Sequence, residues 1–113
     1  MDFLVTDVFA KSLKHLSKKY ASLKNDLENF KADFVTGKNI GVDLGNGFRK
    51  VRLTIASKNK GKRGGARIIT FDLRLVADVV VLVDIYDKSE KESITETEYT
   101  KIITSFLTRN TNK

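Results

Sequence analysis

Residues 79–86, VVVLVDIY, are the stretch that decides the fold of this 113-residue chain. The run is nearly continuous in β-branched and aliphatic residues, which is typical of a central strand covered on both faces. Asp84 interrupts it. Because a carboxylate inside such a strand needs a cation to offset its desolvation, we expect Asp84 to face Arg52 or Arg67 on the neighbouring strands.

Two further strands are predicted on the N-terminal side of this run. Residues 48–56 alternate between apolar and polar side chains, and residues 66–73 form the next strand before a turn at 75–78. Residues 36–47 contain four glycines and two asparagines, so we predict a loop there. Short links between the last three strands make them antiparallel.

A single apolar stripe runs from residue 9 to residue 34 at spacings of three and four, the period of an amphipathic helix. Its members are Phe9, Leu13, Leu16, Tyr20, Leu23, Leu27, Phe30 and Phe34. One long helix or a coiled coil fits this pattern. We favour two helices with a break near residues 21–22, because Ser22 is a good N-cap and a helical hairpin buries the whole stripe against a sheet.

The two ends of the chain add one strand and one helix. Residues 3–6 are apolar and predict a first strand. Thr95 and Glu98 form a capping box for a final helix, with Ser93 and Glu96 as a second option. The sequence therefore predicts a single α+β domain with a four-stranded, mainly antiparallel sheet, two N-terminal helices and one C-terminal helix.

Composition excludes several classes of protein. The chain has no cysteine and one histidine, His15, which removes disulfides, thiolate metal sites and histidine clusters. The longest strongly apolar run, residues 79–83, is too short to cross a bilayer, and the N-terminus lacks the basic segment of a signal peptide. We expect a cytoplasmic protein that uses no cofactor and no metal, with His15 on the surface.

Positive charge is concentrated in residues 49–67, RKVRLTIASKNKGKRGGAR. This segment holds eight of the 21 lysines and arginines and none of the 14 acids, so the other 94 residues carry 13 bases against 14 acids. A local positive field of this kind attracts a polyanion. Lys50 and Arg52 alternate with Val51 and Leu53, which places part of the charge on a rigid strand. The alternative is a solvated loop whose lysines only maintain solubility.

Four segments of the sequence together resemble one known family. They are FRKVRL at 48–53, GKRGGAR at 61–67, the strand at 80–86 and DKSEK at 87–91. These segments resemble the RelE/HigB toxins of bacterial type II toxin–antitoxin modules, in particular the HigB-like branch, and the resemblance extends over essentially the whole chain.

The resemblance implies a compact α+β ribonuclease of RelE-like fold that contacts ribosomal RNA in the ribosomal A site and cuts mRNA there. The implied reaction is attack of a ribose 2′-hydroxyl on the adjacent phosphodiester, without a metal. It further implies a cognate antitoxin, expected to be a helix-turn-helix protein encoded beside the toxin, that keeps it silent.

The resemblance also implies roles for single residues. The implied catalytic set is Lys50, Arg52, Arg67, Lys88 and Lys91. Arg67, helped by Arg52, is expected to balance the phosphate charge in the transition state. Lys50 is the candidate general base, with a pKa expected to fall beside Arg49 and Arg52, and Lys88 or Lys91 is the candidate acid. Phosphate positioning without chemistry is the alternative for Lys50 and Arg52.

Other side chains are expected to bind RNA or to support the site. The expected RNA-binding residues are Arg49, Lys58, Lys60, Lys62, Arg63 and Tyr86. Some RelE relatives carry a tyrosine near the start of the last helix, where this chain has Thr95. Tyr86 is expected either to offer an aromatic face to a base or to lie in the core with its hydroxyl bonded. Glu90 is expected to support the last helix through its charge, with orienting Lys88 or acting as a base as the alternatives.

Two other functions fit the same basic surface. One is a noncatalytic module that binds RNA or the ribosome, and the other is a toxin of the ParE branch, which poisons DNA gyrase. The set of Lys50, Arg52 and Arg67 favours the endonuclease over the ParE-like toxin, because that branch is expected to lack a complete basic set. The sequence does not separate the endonuclease from the binding module.

Overall fold

A computed structural model of the chain describes residues 1–58 and 65–111. Five strands and four helices lie within these residues. In chain order they are β1 Asp2–Val5, α1 Asp7–Lys19, α2 Leu23–Val35, β2 Val42–Gly45, β3 Phe48–Leu53, β4 Ala66–Asp72, α3 Arg74–Ala77, β5 Val79–Asp87 and α4 Glu96–Thr111.

The strands form one sheet in the order β1-β5-β4-β3-β2. β1 runs parallel to β5, and the other three pairings are antiparallel. The predicted α+β class and the antiparallel arrangement of the last three strands are confirmed. The predicted strand count of four is wrong, because β2 lies inside the segment that was expected to be a loop.

β2 forms because Asn46 and Gly47 make a tight hairpin turn to β3. Their φ angles are +54° and +90°, the left-handed conformations that a two-residue hairpin loop requires. The second difference is α3, a single helical turn at the predicted chain reversal between β4 and β5. Both additions lie at turns, where local backbone geometry rather than hydrophobic periodicity decides the structure.

The apolar stripe divides into two helices as predicted, with residues 20–22 between them. Ser22 stands at the N-cap position of α2, but its hydroxyl donates to Asp26 instead of accepting from the helix backbone. The capping box of α4 is confirmed. The Thr95 amide donates to the Glu98 carboxylate at 2.8 Å, and the Glu98 amide donates to the Thr95 hydroxyl at 3.2 Å.

The sheet is covered on both faces. On one face, α1 and α2 bury Phe9, Leu16 and Phe30 against β3 and β5. On the other face, α4 packs Tyr99 and Ile103 on the sheet. β5 is buried from Val80 to Asp87, which confirms the prediction of a central strand covered on both faces.

A β-bulge in β5 alters the direction of its side chains. Ile69 pairs with Asp84 and Thr70 pairs with Leu82, so Val83 is an extra residue on this strand. Asp84 consequently faces α1, where it accepts a hydrogen bond from the Ser12 hydroxyl at 2.8 Å. The expectation that Asp84 faces Arg52 or Arg67 is therefore wrong. Within residues 1–58 and 65–111, no helix combines the length and the apolar character needed to cross a membrane.

Candidate functional site

A groove of about 700 Å³ is lined by basic side chains from two strands, a loop and a turn. The cations that line it are Lys38, Lys50, Arg52, Arg67 and Lys88. No aspartate or glutamate is among the lining residues, and we call this site the basic groove. It unites four of the five residues expected to be catalytic; the fifth, Lys91, lies elsewhere.

The floor of the basic groove is made by β3 and β4. Arg52 and Arg67 are direct cross-strand partners, and Lys50 lies two residues before Arg52 on the same face of β3. Phe48 continues this face and packs on Tyr99 of α4, with ring centroids 4.5 Å apart. The three cations therefore occupy the end of the face that α4 leaves uncovered.

One wall of the groove is the connection between α2 and β2, which also contributes Lys38. The Asn39 side-chain amide donates to the carbonyl of Arg52 at 3.0 Å and so ties this wall to the floor. Gly41 has a φ of +69°, and a Cβ there would lie 2.2 Å from the Lys50 carbonyl oxygen. Only glycine allows so close an approach. Sequence reasoning missed Lys38, whose only signal is its position in a glycine-flanked loop.

The electrostatics of the groove favour an anion. Like charges directly opposite each other on paired strands are unfavourable, which applies to Arg52 and Arg67. Burial, followed by the positive charge of Arg52, lowers the pKa of Arg67, although a guanidinium stays protonated in proteins. In the described part of the chain, no carboxylate lies within 4 Å of Lys50 or of Lys88 to form an ion pair. A bound phosphate would supply the missing negative charge.

Lys88 reaches the groove because Asp87 fixes the turn that carries it. The Asp87 side chain is fully buried and accepts from the Tyr20 hydroxyl at 2.6 Å and the Lys58 ammonium at 2.9 Å. The amide and hydroxyl of Ser89 also donate to it, at 2.9 Å and 2.8 Å. Burial alone would raise the pKa of Asp87, but these donors outweigh burial and hold that pKa well below its usual range. Sequence reasoning did not single out Asp87.

The described members of the expected RNA-binding set lie outside the basic groove. Lys58 already pairs with Asp87, and its hydrogen bond to that carboxylate raises the pKa of Lys58. Arg49 lies on the other face of β3 from Lys50 and donates to the Ile40 carbonyl at 3.4 Å. Neither side chain lines the basic groove. The remaining basic residues of this set, Lys60, Lys62 and Arg63, lie outside the described residues.

Lys91 and Glu90 belong to another part of the surface. Lys91 lines a separate pocket between α1 and β5, together with Asp84. Glu90 pairs with the ammonium of Lys19 and lies 3.3 Å from the ring of His15, both on α1. The expectation that Glu90 supports the last helix is therefore wrong. His15 is exposed on the surface, as predicted.

Tyr86 is a core residue. It pairs with Arg67 across β4 and β5, and only 5% of its surface is exposed, so its ring offers no free face to a base. Its hydroxyl is buried and has no hydrogen-bond partner among the described residues. Burial raises the pKa of Tyr86, against the lowering effect of Arg67. The core alternative is thus correct for the ring and wrong for the hydroxyl, which was expected to be bonded.

Neither a protein-family model nor a curated protein matches this sequence. In the part of the chain that the structure describes, no group of three or more histidine, aspartate and glutamate side chains is placed to hold a metal ion. What the geometry offers chemically is a groove with two paired guanidinium groups and three lysines. Such a groove can bind and orient a phosphodiester.

Proposed function

We propose that this protein is an RNA endonuclease toxin of the RelE/HigB kind, which cuts mRNA and thereby stops translation. The observation that carries the proposal is the basic groove, where Lys50, Arg52, Arg67 and Lys88 converge without a carboxylate among the lining residues. The sequence resemblance supports the class of reaction. The groove supports the choice of RNA backbone as the ligand, because clustered cations bind phosphates with release of counterions.

The proposed reaction is a transesterification. The ribose 2′-oxygen forms a bond to phosphorus, and the bond between phosphorus and the 5′-oxygen breaks. The products are a 2′,3′-cyclic phosphate and a free 5′-hydroxyl. One group must take the proton of the 2′-hydroxyl, and another must donate a proton to the leaving 5′-oxygen.

The groove residues divide this work in the proposal. Arg52 and Arg67, paired across β3 and β4, stabilise the extra negative charge that develops on the phosphate oxygens. Lys50, half-buried on the same floor, serves as the base. Lys88 faces the same groove from the opposite turn and serves as the acid. Lys91 is the weaker candidate for the acid, because it lines a different pocket.

The proposal includes the setting of the reaction. The substrate is mRNA held in the ribosomal A site, the protein contacts ribosomal RNA there, and the compartment is the cytoplasm. A cognate helix-turn-helix antitoxin silences the protein. The RelE-like fold belongs to the same proposal, since the sheet and its flanking helices have the element order expected for that family, with β2 and α3 added.

The proposal is tested by inducing the protein in bacteria and mapping the 5′ ends of messages during growth arrest. Wild type should arrest growth and produce new 5′-hydroxyl ends within coding regions. Arg67→Ala should abolish both effects, because it removes the guanidinium from the centre of the groove. The matched control is Arg109→Ala, since Arg109 is an exposed arginine on α4 outside the groove and pairs with Asp7 at the surface.

Three results would count against the proposal in different ways. If Arg67→Ala and wild type arrest growth equally, catalysis through the groove is wrong. If growth stops without new message ends, cleavage of mRNA is wrong, and a noncatalytic binding module or a ParE-like toxin explains the arrest instead. If an RNA with a single 2′-deoxyribose at the cut position is still cleaved there, attack by the 2′-hydroxyl is wrong.

A further inference from the structure

A second polar pocket lies between α1 and the edge of β5. It encloses about 330 Å³, which is within the size range of small-ligand sites (about 300–1,000 Å³). The pocket exists because β1 pairs with β5 only as far as Leu82, so no strand of the described residues lies beside the rest of that edge. We call it the edge pocket and define it by Lys11, Ser12, Asp84 and Lys91.

Asp84 is the carboxylate of the edge pocket that forms no ion pair with the described residues, although the positive charge of Lys91 acts on it from a greater distance. Two other carboxylates line the pocket, and both have cations: Asp87 pairs with Lys58, and Glu90 pairs with Lys19. Asp84 is only 6% exposed, yet no lysine or arginine of the described chain forms an ion pair with it. A buried carboxylate without an ion pair is costly and gains from any ligand that brings donors.

The hydrogen bonds of Asp84 show which kind of ligand fits. Its Oδ1 atom accepts from the Ser12 hydroxyl and from the Ile85 amide, both at 2.8 Å, which uses both lone pairs of that oxygen. No donor among the described residues bonds to Oδ2. The Ser12 hydroxyl donates its hydrogen bond to Asp84, so it can only accept hydrogen bonds from other groups. The pocket thus presents two neighbouring acceptors, Asp84 Oδ2 and Ser12 Oγ.

We propose that the edge pocket binds one guanine base of the RNA whose phosphates occupy the basic groove. The Watson–Crick edge of guanine carries two adjacent donors, the N1–H and the 2-amino group, which match the two acceptors. Uracil and cytosine lack such a pair, and adenine has one amino group beside an acceptor. Lys11 and Lys91, neither of which has an ion-pair partner in the described chain, line the pocket and are available to an adjacent phosphate.

The basic groove and the edge pocket lie on opposite faces of the sheet, and the turn after β5 connects them, so one RNA strand would have to pass over this turn to occupy both. Lys88 lines the groove and Lys91 lines the pocket, and three residues of chain span at most about 10 Å. Tyr86 lines the edge pocket and is the cross-strand partner of Arg67, which lines the groove. The inference rests on the proposed function for its substrate, and it adds a base preference that the groove alone does not explain.

The test measures nucleotide binding by NMR on the whole protein, with the 5′-monophosphates of guanosine, inosine and uridine as probes. Guanosine monophosphate should shift the amide signals of Ser12 and Ile85. Inosine monophosphate lacks the 2-amino group, and uridine monophosphate has a single ring N–H between two carbonyl acceptors, so neither offers two adjacent donors. We expect each of them to bind at least about 10-fold more weakly, in line with the discrimination of a two-bond base contact.

Asp84→Asn is the decisive variant. Its amide oxygen can keep the bonds from Ser12 and Ile85, but it sets an NH₂ group where guanine needs an acceptor, so the preference for guanine should disappear. Ser12→Ala is the second variant and should weaken the preference without changing any charge. Binding of inorganic phosphate in the basic groove, followed at the Lys50 amide, should be unchanged in both variants and reports that the fold is intact.

Equal binding of the three nucleotides by wild type would overturn the inference, and so would an unchanged preference in Asp84→Asn. These failures differ from a failure of the proposed function. If guanosine monophosphate is selected but no RNA is cut, the edge pocket stands and the nuclease does not. If Asp84→Asn cuts the same RNA at the same bases as wild type, the nuclease stands and the guanine site does not.

Discussion

Replacing Asp87 by asparagine should destabilise the protein more than the same replacement of the partly exposed Asp72, because the Asp87 side chain is fully buried. The side chain keeps its size, but the buried charge disappears and Lys58 loses its carboxylate partner. Removing one member of a buried pair costs about 3–5 kcal/mol. The ammonium-bearing side chain of Lys58 is 19% exposed and so regains some hydration. We therefore expect the free energy of unfolding to decrease by the lower value of this range, about 3 kcal/mol.

Urea and thermal unfolding measure this effect. For a domain of this size the melting temperature should fall by about 10–15 °C, and the urea midpoint should fall with no change in the m-value. The matched control is Asp72→Asn. Asp72 and its partner Arg74 are partly exposed, with side-chain exposures of 30% and 37%, so this pair is worth at most about 1 kcal/mol.

The pH dependence adds an independent check. The pKa of Asp87 is lowered in the folded protein, so its stabilising effect is present above the ordinary pKa of an aspartate, near 3.9, and is lost as the pH falls below it. The difference in the free energy of unfolding between wild type and Asp87→Asn should therefore become smaller at acidic pH. The double variant Asp87→Asn with Lys58→Met should recover part of the loss. If Asp87→Asn costs no more than Asp72→Asn, the interpretation of the Asp87 network is wrong.

Three further predictions follow from the site. Lys88→Ala should weaken RNA binding in filter assays, and growth arrest on induction, more than Lys91→Ala does. The reason is that Lys88 lines the basic groove and Lys91 does not, so equal effects of the two variants would contradict this placement. Asp84→Asn should raise the melting temperature at neutral pH, because burial raises the pKa of Asp84 in spite of its hydrogen bonds. The increase over wild type should disappear as the pH falls through that raised pKa. A melting temperature below that of wild type at neutral pH would refute this prediction. Gly41→Ala should destabilise the protein by more than about 1 kcal/mol and weaken RNA binding, because the added Cβ would collide with the Lys50 carbonyl oxygen. Chemical denaturation measures this effect, and a free energy of unfolding equal to that of wild type would refute the prediction.

Local patterns in the sequence were sufficient for most elements of the fold. The apolar run in β5, the stripe along α1 and α2 and the capping box of α4 each depend on residues close together in the chain, and all three predictions are confirmed. The missed strand β2 also had a local signal. Asn46 and Gly47 are a strong hairpin pair, but the surrounding glycines favoured a loop.

The alternation in β3 also predicted correctly that Lys50 and Arg52 share a face, because side chains on a strand alternate with a period of two. Which cations meet them from elsewhere depends on strand register and on the path of the loops. Arg67 joins them because β4 pairs with β3 in a register that sets it opposite Arg52. Lys38 joins them because Gly41 lets its loop lie against β3.

By itself, the sequence determined the class of fold, the position of most helices and strands, and the concentration of positive charge on β3 and the segment after it. Only the tertiary structure decided the partners of single charged groups. A bulge of one residue directs Asp84 towards Ser12, which lies 72 positions away in the chain. Lys58, expected to bind RNA, instead pairs with Asp87, 29 positions away. The physical reason is that periodicity depends on near neighbours in the chain, whereas the partner of a buried charge depends on which distant elements pack beside it.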